Sequence, residues 1–205
     1  MSKNFSQQIK KILIASGNKG KIAEFDEYFA NLGIETEAQT TLNIVEAIEN
    51  GCSFVENALI KAKHAARHTS LPVLADDSGL IIDALDGRPG LYSARYAGTN
   101  CSWEDNINKV ITEMKELGIE SSPARFYVVL VLLENGPNDP TPKIYDGTWE
   151  GRVVTNRSGR GGFGYDPIFI DDNYGKSAAN IFEEKKLCSH RAKALQKMLS
   201  DLSQN

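Results

Sequence analysis

The sequence of 205 residues predicts an α/β fold with a mixed β-sheet. Three apolar runs of strand length, at residues 11–15, 71–75 and 126–133, alternate with segments whose apolar side chains recur at helical spacing. Such interleaving of strands and helices is typical of α/β proteins. A hairpin signal at residues 83–85 adds antiparallel pairing, so we expect the sheet to be mixed rather than purely parallel.

Composition and charge exclude several classes of protein. The formal net charge of −4 argues against a broad surface for nucleic acid. Cys52, Cys101 and Cys188 are odd in number and far apart, which fits no disulfide framework or metal site and predicts a reducing, cytoplasmic location. Residues 1–10 read as a polar N-terminal extension without a signal peptide, and no apolar run reaches membrane-spanning length. We therefore expect a single domain over residues 1–205, with neither nucleic acid nor membrane as a partner.

The first part of the chain alternates strands and helices. In order, the pattern predicts a strand at 11–15, a turn at 16–21, a helix to about residue 32, a strand at 35–39 and an irregular acidic segment at 40–51. Ser53 and Glu56 have the spacing of a capping box, which predicts a helix that extends to about residue 68.

The second part continues the alternation. Ser102 is the predicted cap of a helix to about residue 117, and Ser189 is the predicted cap of the last helix. Between them we expect a strand at 126–133, a loop at 137–142, one or two strands at 143–154 and a glycine-rich loop at 158–164.

Two adjacent carboxylates, Asp76 and Asp77, lie between the apolar run at 71–75 and a second one at 80–82. A strand alternates its faces, so the two side chains point in opposite directions. Burying an unpaired carboxylate is costly, so the doublet requires solvent, hydrogen-bond donors or a metal ion. The alternative is a tight, solvated turn, because Asp-Asp-Ser-Gly is also a common turn composition.

Cationic side chains gather at the predicted N-termini of two helices. Lys19 and Lys21 lie at the start of the first helix, and His190 and Arg191 lie in the first turn of the last, with residues 185–186 just before it. A helix N-terminus is already positive, so such crowding is favourable if an anion binds there. The alternative is that the exposed side chains extend into water.

Glycine-rich segments give weaker signals. Residues 159–164 match G-x-G-x-x-G, but Pro167 and the apolar run after it argue against the helix that a dinucleotide fingerprint requires. We therefore reject that function, and a plain flexible loop is the alternative. Residues 17–21 are too short for the spacing of a phosphate-binding loop, and the histidines lack metal-ligand spacing.

Lys61 lies at the rim of the apolar face of its predicted helix, where it either extends to solvent or pairs with an anion. A carboxylate pair, cationic helix ends and a glycine-rich loop are together suited to a metal–polyphosphate complex. Mg²⁺ takes one or two carboxylates plus substrate phosphates, and lysines neutralise the remaining charge.

Five stretches of the sequence resemble the inosine triphosphate pyrophosphatase family, which hydrolyses non-standard purine nucleoside triphosphates. They are SGNKGKIAEF (16–25), FVENALIKAKHAA (54–66), LADDSGLIIDALDGRPGLYSARYAG (74–98), GGFGYDPIF (161–169) and SHRAKAL (189–195). They cover most of the chain in the family's order. The resemblance implies a two-lobed α/β fold around a long mixed sheet with flanking helices, a homodimer, and Mg²⁺-dependent cleavage between the α- and β-phosphates.

The resemblance also implies roles for individual residues. Asp77 would be the general base and, with Glu49, a ligand of Mg²⁺, while Asp76 would be a second ligand or a structural hydrogen-bond acceptor. The triphosphate would contact Ser16, which replaces the family's usual Thr, together with Gly17, Asn18, Lys19, Gly20, Lys21 and Lys61. Ser78 would touch the substrate, and the base and sugar would contact Phe163, Gly164, Tyr165, Asp166, Lys185, His190 and Arg191.

The implied substrates are ITP, dITP and XTP, which would be cut to the monophosphate and pyrophosphate. Hydrogen-bond donors at His190 and Arg191 would suit the 6-oxygen of hypoxanthine or xanthine. Two alternatives are a pyrophosphatase for other modified nucleotides and a nucleotide-binding module without catalysis. Retention of Asp77 and the lysines argues against the second, because binding alone does not require a base.

Overall fold

The computed structural model describes residues 9–204, and in that range it contains one six-stranded sheet with the strand order β2-β1-β3-β4-β5-β6. The strands are β1 (Lys11–Ile14), β2 (Glu35–Ala38), β3 (Val73–Ile82), β4 (Ser121–Leu133), β5 (Lys143–Val154) and β6 (Phe169–Asp171). Strand β1 is parallel to both β2 and β3, whereas β5 and β6 are antiparallel. The predicted α/β class and the mixed sheet are confirmed.

The α-helices of residues 9–204 are α1 (Lys19–Ala30), α2 (Phe54–Ala66), α3 (Trp103–Glu116), α4 (Phe182–Cys188) and α5 (His190–Gln204). Side chains cap several of them, as the sequence predicts. Ser102 and Asp105 form a complete capping box at α3, and Ser53 accepts from the Glu56 N–H at α2. The Glu56 carboxylate accepts from the Cys52 N–H, at 2.6 Å, and thereby holds the chain that enters α2.

The chain forms two compact units, and neither is a continuous segment. Among the described residues, the first unit contains residues 9–77, Val129–Asp146 and residues 194–204. The second contains Ser78–Val128 and Gly147–Lys193. Because the divisions fall within β3, β4, β5 and α5, these four elements contribute residues to both units.

Each unit has an apolar interior. In the first, Phe25 and Phe29 of α1 are buried and stack on each other with ring centroids 6.4 Å apart. In the second, the buried side chains include Leu80, Ile82, Val110, Met114, Phe126, Trp149 and Phe169. Phe25 and Phe29 are four residues apart, so they lie on the same face of α1.

Two expectations differ from the structure. The carboxylate doublet lies inside one continuous strand, β3, and not between two strand segments or in a turn. Gly79 permits this because a Cβ there would stand 2.2 Å from the Gly90 carbonyl oxygen, so the glycine accommodates a close backbone approach. The predicted hairpin at residues 83–85 is a short 3₁₀ helix, Asp83–Leu85.

Helix α4 was not predicted from the sequence, because it is short and its N-cap, Ile181, makes no side-chain cap. Of the polar extension expected at residues 1–10, residues 1–8 lie outside the described range. No helix of residues 9–204 combines the length and the apolar character needed to cross a membrane.

Candidate functional site

The carboxylate doublet of the first unit is buried and paired with lysines. Asp76 is 2% exposed and Asp77 is 7% exposed. The Lys21 ammonium lies 3.1 Å from Asp76 Oδ2, and the Lys61 ammonium donates to Asp77 Oδ1 at 2.9 Å. The two carboxylates therefore meet lysines from two different helices, as expected when neighbouring residues of a strand point to opposite faces.

Lys61 joins two acidic side chains. Its ammonium also lies 3.3 Å from Glu49 Oε1, and only 13% of its side chain is exposed. Burial acts to lower the pKa of Lys61, but the negative charges of Asp77, Asp76 and Glu49 outweigh burial and raise it. The alternative that Lys61 extends into solvent is wrong, and the structure brings Glu49, Lys61 and Asp77 together as one ion-paired group.

Asp77 has an unusual environment for a carboxylate. Desolvation is the largest influence and raises the pKa of Asp77 above its ordinary value, although the Lys61 ammonium acts in the opposite direction. Its second oxygen, Oδ2, is buried and has no hydrogen-bond partner among the described residues. An acceptor of this kind is costly unless something binds to it, which makes Asp77 a candidate for proton transfer or cation binding.

The loop before α1 is organised by its own side chains. Asn18 Oδ1 accepts from the N–H groups of Gly20 and Lys21, at 2.9 and 3.2 Å, and Ser16 Oγ accepts from the Asn18 N–H. Asn18 is therefore the N-cap of α1. Lys19 is exposed, whereas Lys21 is directed to Asp76, so the two lysines of this loop have different surroundings.

A second group of predicted residues lies in the second unit. The Lys185 ammonium donates to Asp166 Oδ2 at 2.7 Å, and both side chains are almost fully buried. The same carboxylate oxygen accepts from the Phe163 N–H at 3.0 Å, and the Lys185 ammonium lies 4.7 Å from the centre of the Phe163 ring. An aromatic ring is thus held beside a paired cation, an arrangement suited to a planar ligand.

The first turn of α5 supplies two further buried polar side chains to this unit. Arg191 is 2% exposed and donates to Ser78 Oγ at 3.3 Å. The His190 ring stacks on the Phe126 ring, with centroids 5.1 Å apart and planes inclined by 14°. Tyr165, also predicted for the site, is buried and donates its hydroxyl to the Ser93 carbonyl at 2.9 Å, so it supports the fold around the site.

The two lysines expected just before α5 belong to a helix of their own. Lys185 and Lys186 lie in the last turn of α4, where cations are favoured. Lys186 pairs with Glu183 at the surface, 2.9 Å away. Trp103, which sequence reasoning did not single out, contacts Phe163 and Tyr165, and no spacing in the sequence indicates that contact.

The fold is an α/β fold with a mixed sheet. The buried pair of Lys61 and Asp77 suits an anionic or cationic ligand, and the Phe163 ring beside Lys185 suits a planar one. The family model described as the Ham1 family matches residues 12–201. The chain therefore belongs to the Ham1 family, and the family assignment made from its motifs is confirmed.

Relatives in sequence and structure cover nearly the whole chain. The dITP/XTP pyrophosphatase of Vibrio parahaemolyticus is 46% identical over 197 residues, which is 95% of this chain and 98% of the relative. The enzyme of the same name from Yersinia pseudotuberculosis is 46% identical over 195 residues, 95% of this chain and 98% of that protein. A HAM1 protein from Coxiella burnetii has a TM-score of 0.86 at 42% identity and covers 96% of this chain and 100% of its own.

Proposed function

We propose that this protein hydrolyses non-standard purine nucleoside triphosphates, ITP, dITP and XTP, to the nucleoside monophosphate and pyrophosphate. Relatives that match almost their entire length are named dITP/XTP pyrophosphatases, which supports this activity and its substrate class. The observation that carries the proposal is Asp77, a buried carboxylate with one oxygen on Lys61 and the other without a hydrogen-bond partner among the described residues.

Mg²⁺ fits the residues of the first unit. Among the described residues of this unit, no group of three or more His, Cys, Asp or Glu side chains could hold a metal ion by itself. Mg²⁺ does not need such a group, because it commonly takes one or two carboxylates and completes its shell with water and substrate phosphates. Asp77 and Glu49 would hold the ion, which would supply charge neutralisation at the phosphates when bound.

The residues of the first unit then carry the chemistry. Asp77 would accept a proton from the water that attacks the α-phosphorus, and its Oδ2, which has no hydrogen-bond partner among the described residues, is available as the acceptor. Lys21 and Lys61 would offset the charge of the departing pyrophosphate. Ser16 and the adjoining glycines would offer a hydroxyl and close backbone approach to the phosphates, beside Asn18 and Lys19.

The residues of the second unit would recognise the base. Phe163 and Gly164 would contact its plane, while Asp166 and Lys185 hold the Phe163 backbone and ring. Arg191 can only donate hydrogen bonds, and a donor satisfies the 6-oxygen of hypoxanthine or xanthine but opposes the 6-amino group of adenine. We infer that Arg191, with His190 beside it, contributes to rejection of ATP.

Product analysis tests the bond that is cleaved. ITP with Mg²⁺ should give IMP and pyrophosphate in one step, and a chelator should abolish turnover. IDP and orthophosphate as first products would refute the assignment. A panel with XTP, dITP, ATP, GTP and dUTP distinguishes it from a pyrophosphatase for other modified nucleotides, and binding without turnover would indicate the non-catalytic module.

Substitution of Asp77 tests the role of the base. Asp77→Asn keeps the shape of the side chain but removes its charge, so kcat should fall by at least about 100-fold while the protein still folds. Asp83→Asn is the matched control, because Asp83 is exposed and pairs with Arg125 at the surface. Near-normal turnover in folded Asp77→Asn protein would transfer the role to Asp76 or Glu49.

Homodimerisation and a cytoplasmic location remain proposals drawn from the family resemblance and from cysteine usage. Light scattering coupled to size-exclusion chromatography should give about twice the chain mass of 22.6 kDa. A mass equal to one chain at assay concentrations would exclude the dimer.

A further inference from the structure

The base loop is the glycine-rich segment of the second unit, residues 157–165. Up to residue 164 it has no helix or strand, and Gly162 and Gly164 have positive φ angles of 75° and 65°. Irregular backbone of this kind has no ladder of hydrogen bonds to fix its position. The position of Phe163 therefore depends on side chains: Asp166 accepts from its N–H, Lys185 lies beside its ring, and further side chains pack on the base loop from α3.

Trp103, the first residue of α3, packs on one end of the base loop. Its ring is half-buried and lies edge-to-face with Phe163 and with Tyr165, at centroid distances of 6.5 and 5.8 Å. A Cβ built on Gly164 would stand 3.7 Å from the six-membered ring of Trp103, so the indole also covers the backbone at that residue. Trp103 therefore contacts three consecutive residues of the base loop.

The same end of α3 holds the other end of the base loop. The Arg157 guanidinium donates to Glu104 and, at 2.7 Å, to Asn108 Oδ1. The side chains of Arg157 and Glu104 are 34% and 62% exposed, so solvent screens this ion pair and its contribution is small. The aromatic contacts of Trp103 are better protected, and we assign them the larger effect.

We propose that Trp103 is a positioning residue for base recognition, which acts by holding Phe163 and Gly164 of the base loop against α3. This inference rests on the proposed function, in which Phe163 contacts the base. Trp103 acts through Phe163, and no contact of its own with the nucleotide is required. Loss of the indole should therefore weaken binding of the base and leave binding of the phosphates unchanged.

Three substitutions separate positioning from general stability. Trp103→Leu keeps apolar volume but removes the ring, and Trp103→Phe restores a ring at the same position. Ile111→Ala is the control, because Ile111 is also a half-buried side chain of α3 that packs on the same core. It lies eight residues further along the helix, about 12 Å from Trp103.

Affinity is measured by calorimetry for IMP, AMP and inorganic pyrophosphate, and kcat/KM is measured for ITP and ATP. With two aromatic contacts removed, Trp103→Leu should weaken binding of IMP and AMP by about 10-fold each and lower kcat/KM for ITP and ATP by a similar factor, because Phe163 contacts the ring plane that both bases share. Pyrophosphate affinity should stay within about 2-fold. Trp103→Phe should recover most of the loss, and Ile111→Ala should lower the melting temperature without changing the affinity for IMP.

The inference is overturned if Trp103→Leu and Ile111→Ala change IMP affinity equally, or if IMP and pyrophosphate affinities fall together. It is also overturned if Trp103→Phe behaves as Trp103→Leu does. Cleavage of ITP by wild-type protein with unchanged IMP affinity in Trp103→Leu defeats this inference alone. IMP binding that depends on Trp103, without any cleavage of ITP, defeats only the proposed hydrolysis.

Discussion

The buried ion pair between Lys185 and Asp166 supports a quantitative prediction. The two side chains are 6% and 3% exposed, with 2.7 Å between Nζ and Oδ2. Lys185→Met removes the cation and leaves the buried Asp166 carboxylate without this partner, and Asp166→Asn leaves the buried ammonium without it. Removing one partner of a buried pair costs about 3–5 kcal/mol, so each variant should lose that much free energy of unfolding.

The double variant should lose much less than the sum of the two single variants, because it buries neither charge. The coupling free energy from equilibrium urea unfolding should exceed about 2 kcal/mol. Lys186→Met is the control, since the adjacent Lys186 pairs with an exposed Glu183 and should change the unfolding free energy by less than about 1 kcal/mol. Additive losses, or a Lys185→Met loss as small as that of the control, would refute the interpretation of a dry, tightly coupled pair.

Three further outcomes follow from the structure. Arg191→Ala should lower kcat/KM for ITP by about 10-fold or more and lower it less for ATP. The reason is that the Arg191 donor pairs with the 6-oxygen of ITP but is unmatched against the 6-amino group of ATP, and an unmatched buried donor costs about 1–3 kcal/mol. Equal losses for both substrates would mean that Arg191 contacts the phosphates or stabilises the fold. Asp139→Asn should reduce the unfolding free energy by about 1–2 kcal/mol at pH 7, because the backbone N–H groups of Thr141, Asn135 and Glu134 hold the pKa of Asp139 below its usual range. That stabilisation is present above the ordinary carboxyl pKa of about 4 and disappears as the pH falls through the lowered pKa. The unfolding free energies of wild type and of the Asp139→Asn variant should therefore converge in acid. A difference that persists at the lowest pH would contradict this role of Asp139. Gly79→Ala should strongly destabilise the protein, since its Cβ would stand 2.2 Å from the Gly90 carbonyl oxygen, and a melting temperature equal to that of wild type would rule out that close approach.

Local signals predicted much of the fold. Apolar runs identified β1, β3 and β4, although β4 begins at Ser121, five residues before the expected start, because its first residues alternate in burial instead of forming an apolar run. The caps Ser53 and Ser102 marked the starts of α2 and α3 because capping depends on residues three positions apart. Helix α4 escaped prediction because it has no capping side chain.

The sequence likewise predicted only part of the candidate site. The sequence by itself determined which residue types were available, namely an adjacent carboxylate pair and several lysines, which together suit a metal–polyphosphate complex. It could not decide whether Asp76 and Asp77 lie in a solvated turn or in a strand, because the same four residues suit both. Only the tertiary structure decided this, since the close approach of Gly90 to Gly79 is a contact between residues distant in the chain.

The tertiary structure also decided which side chains pair with Lys61 and with Trp103. Helical spacing placed Lys61 at the rim of an apolar face, but pairing with Asp77 and Glu49 depends on how α2 packs beside β3 and the segment that precedes α2. The contact of Trp103 with Phe163 joins residues 60 positions apart by number, and no periodicity records it. Sequence periodicity reports the face on which a side chain lies, whereas burial, desolvation and pairing depend on the elements that the fold brings against that face.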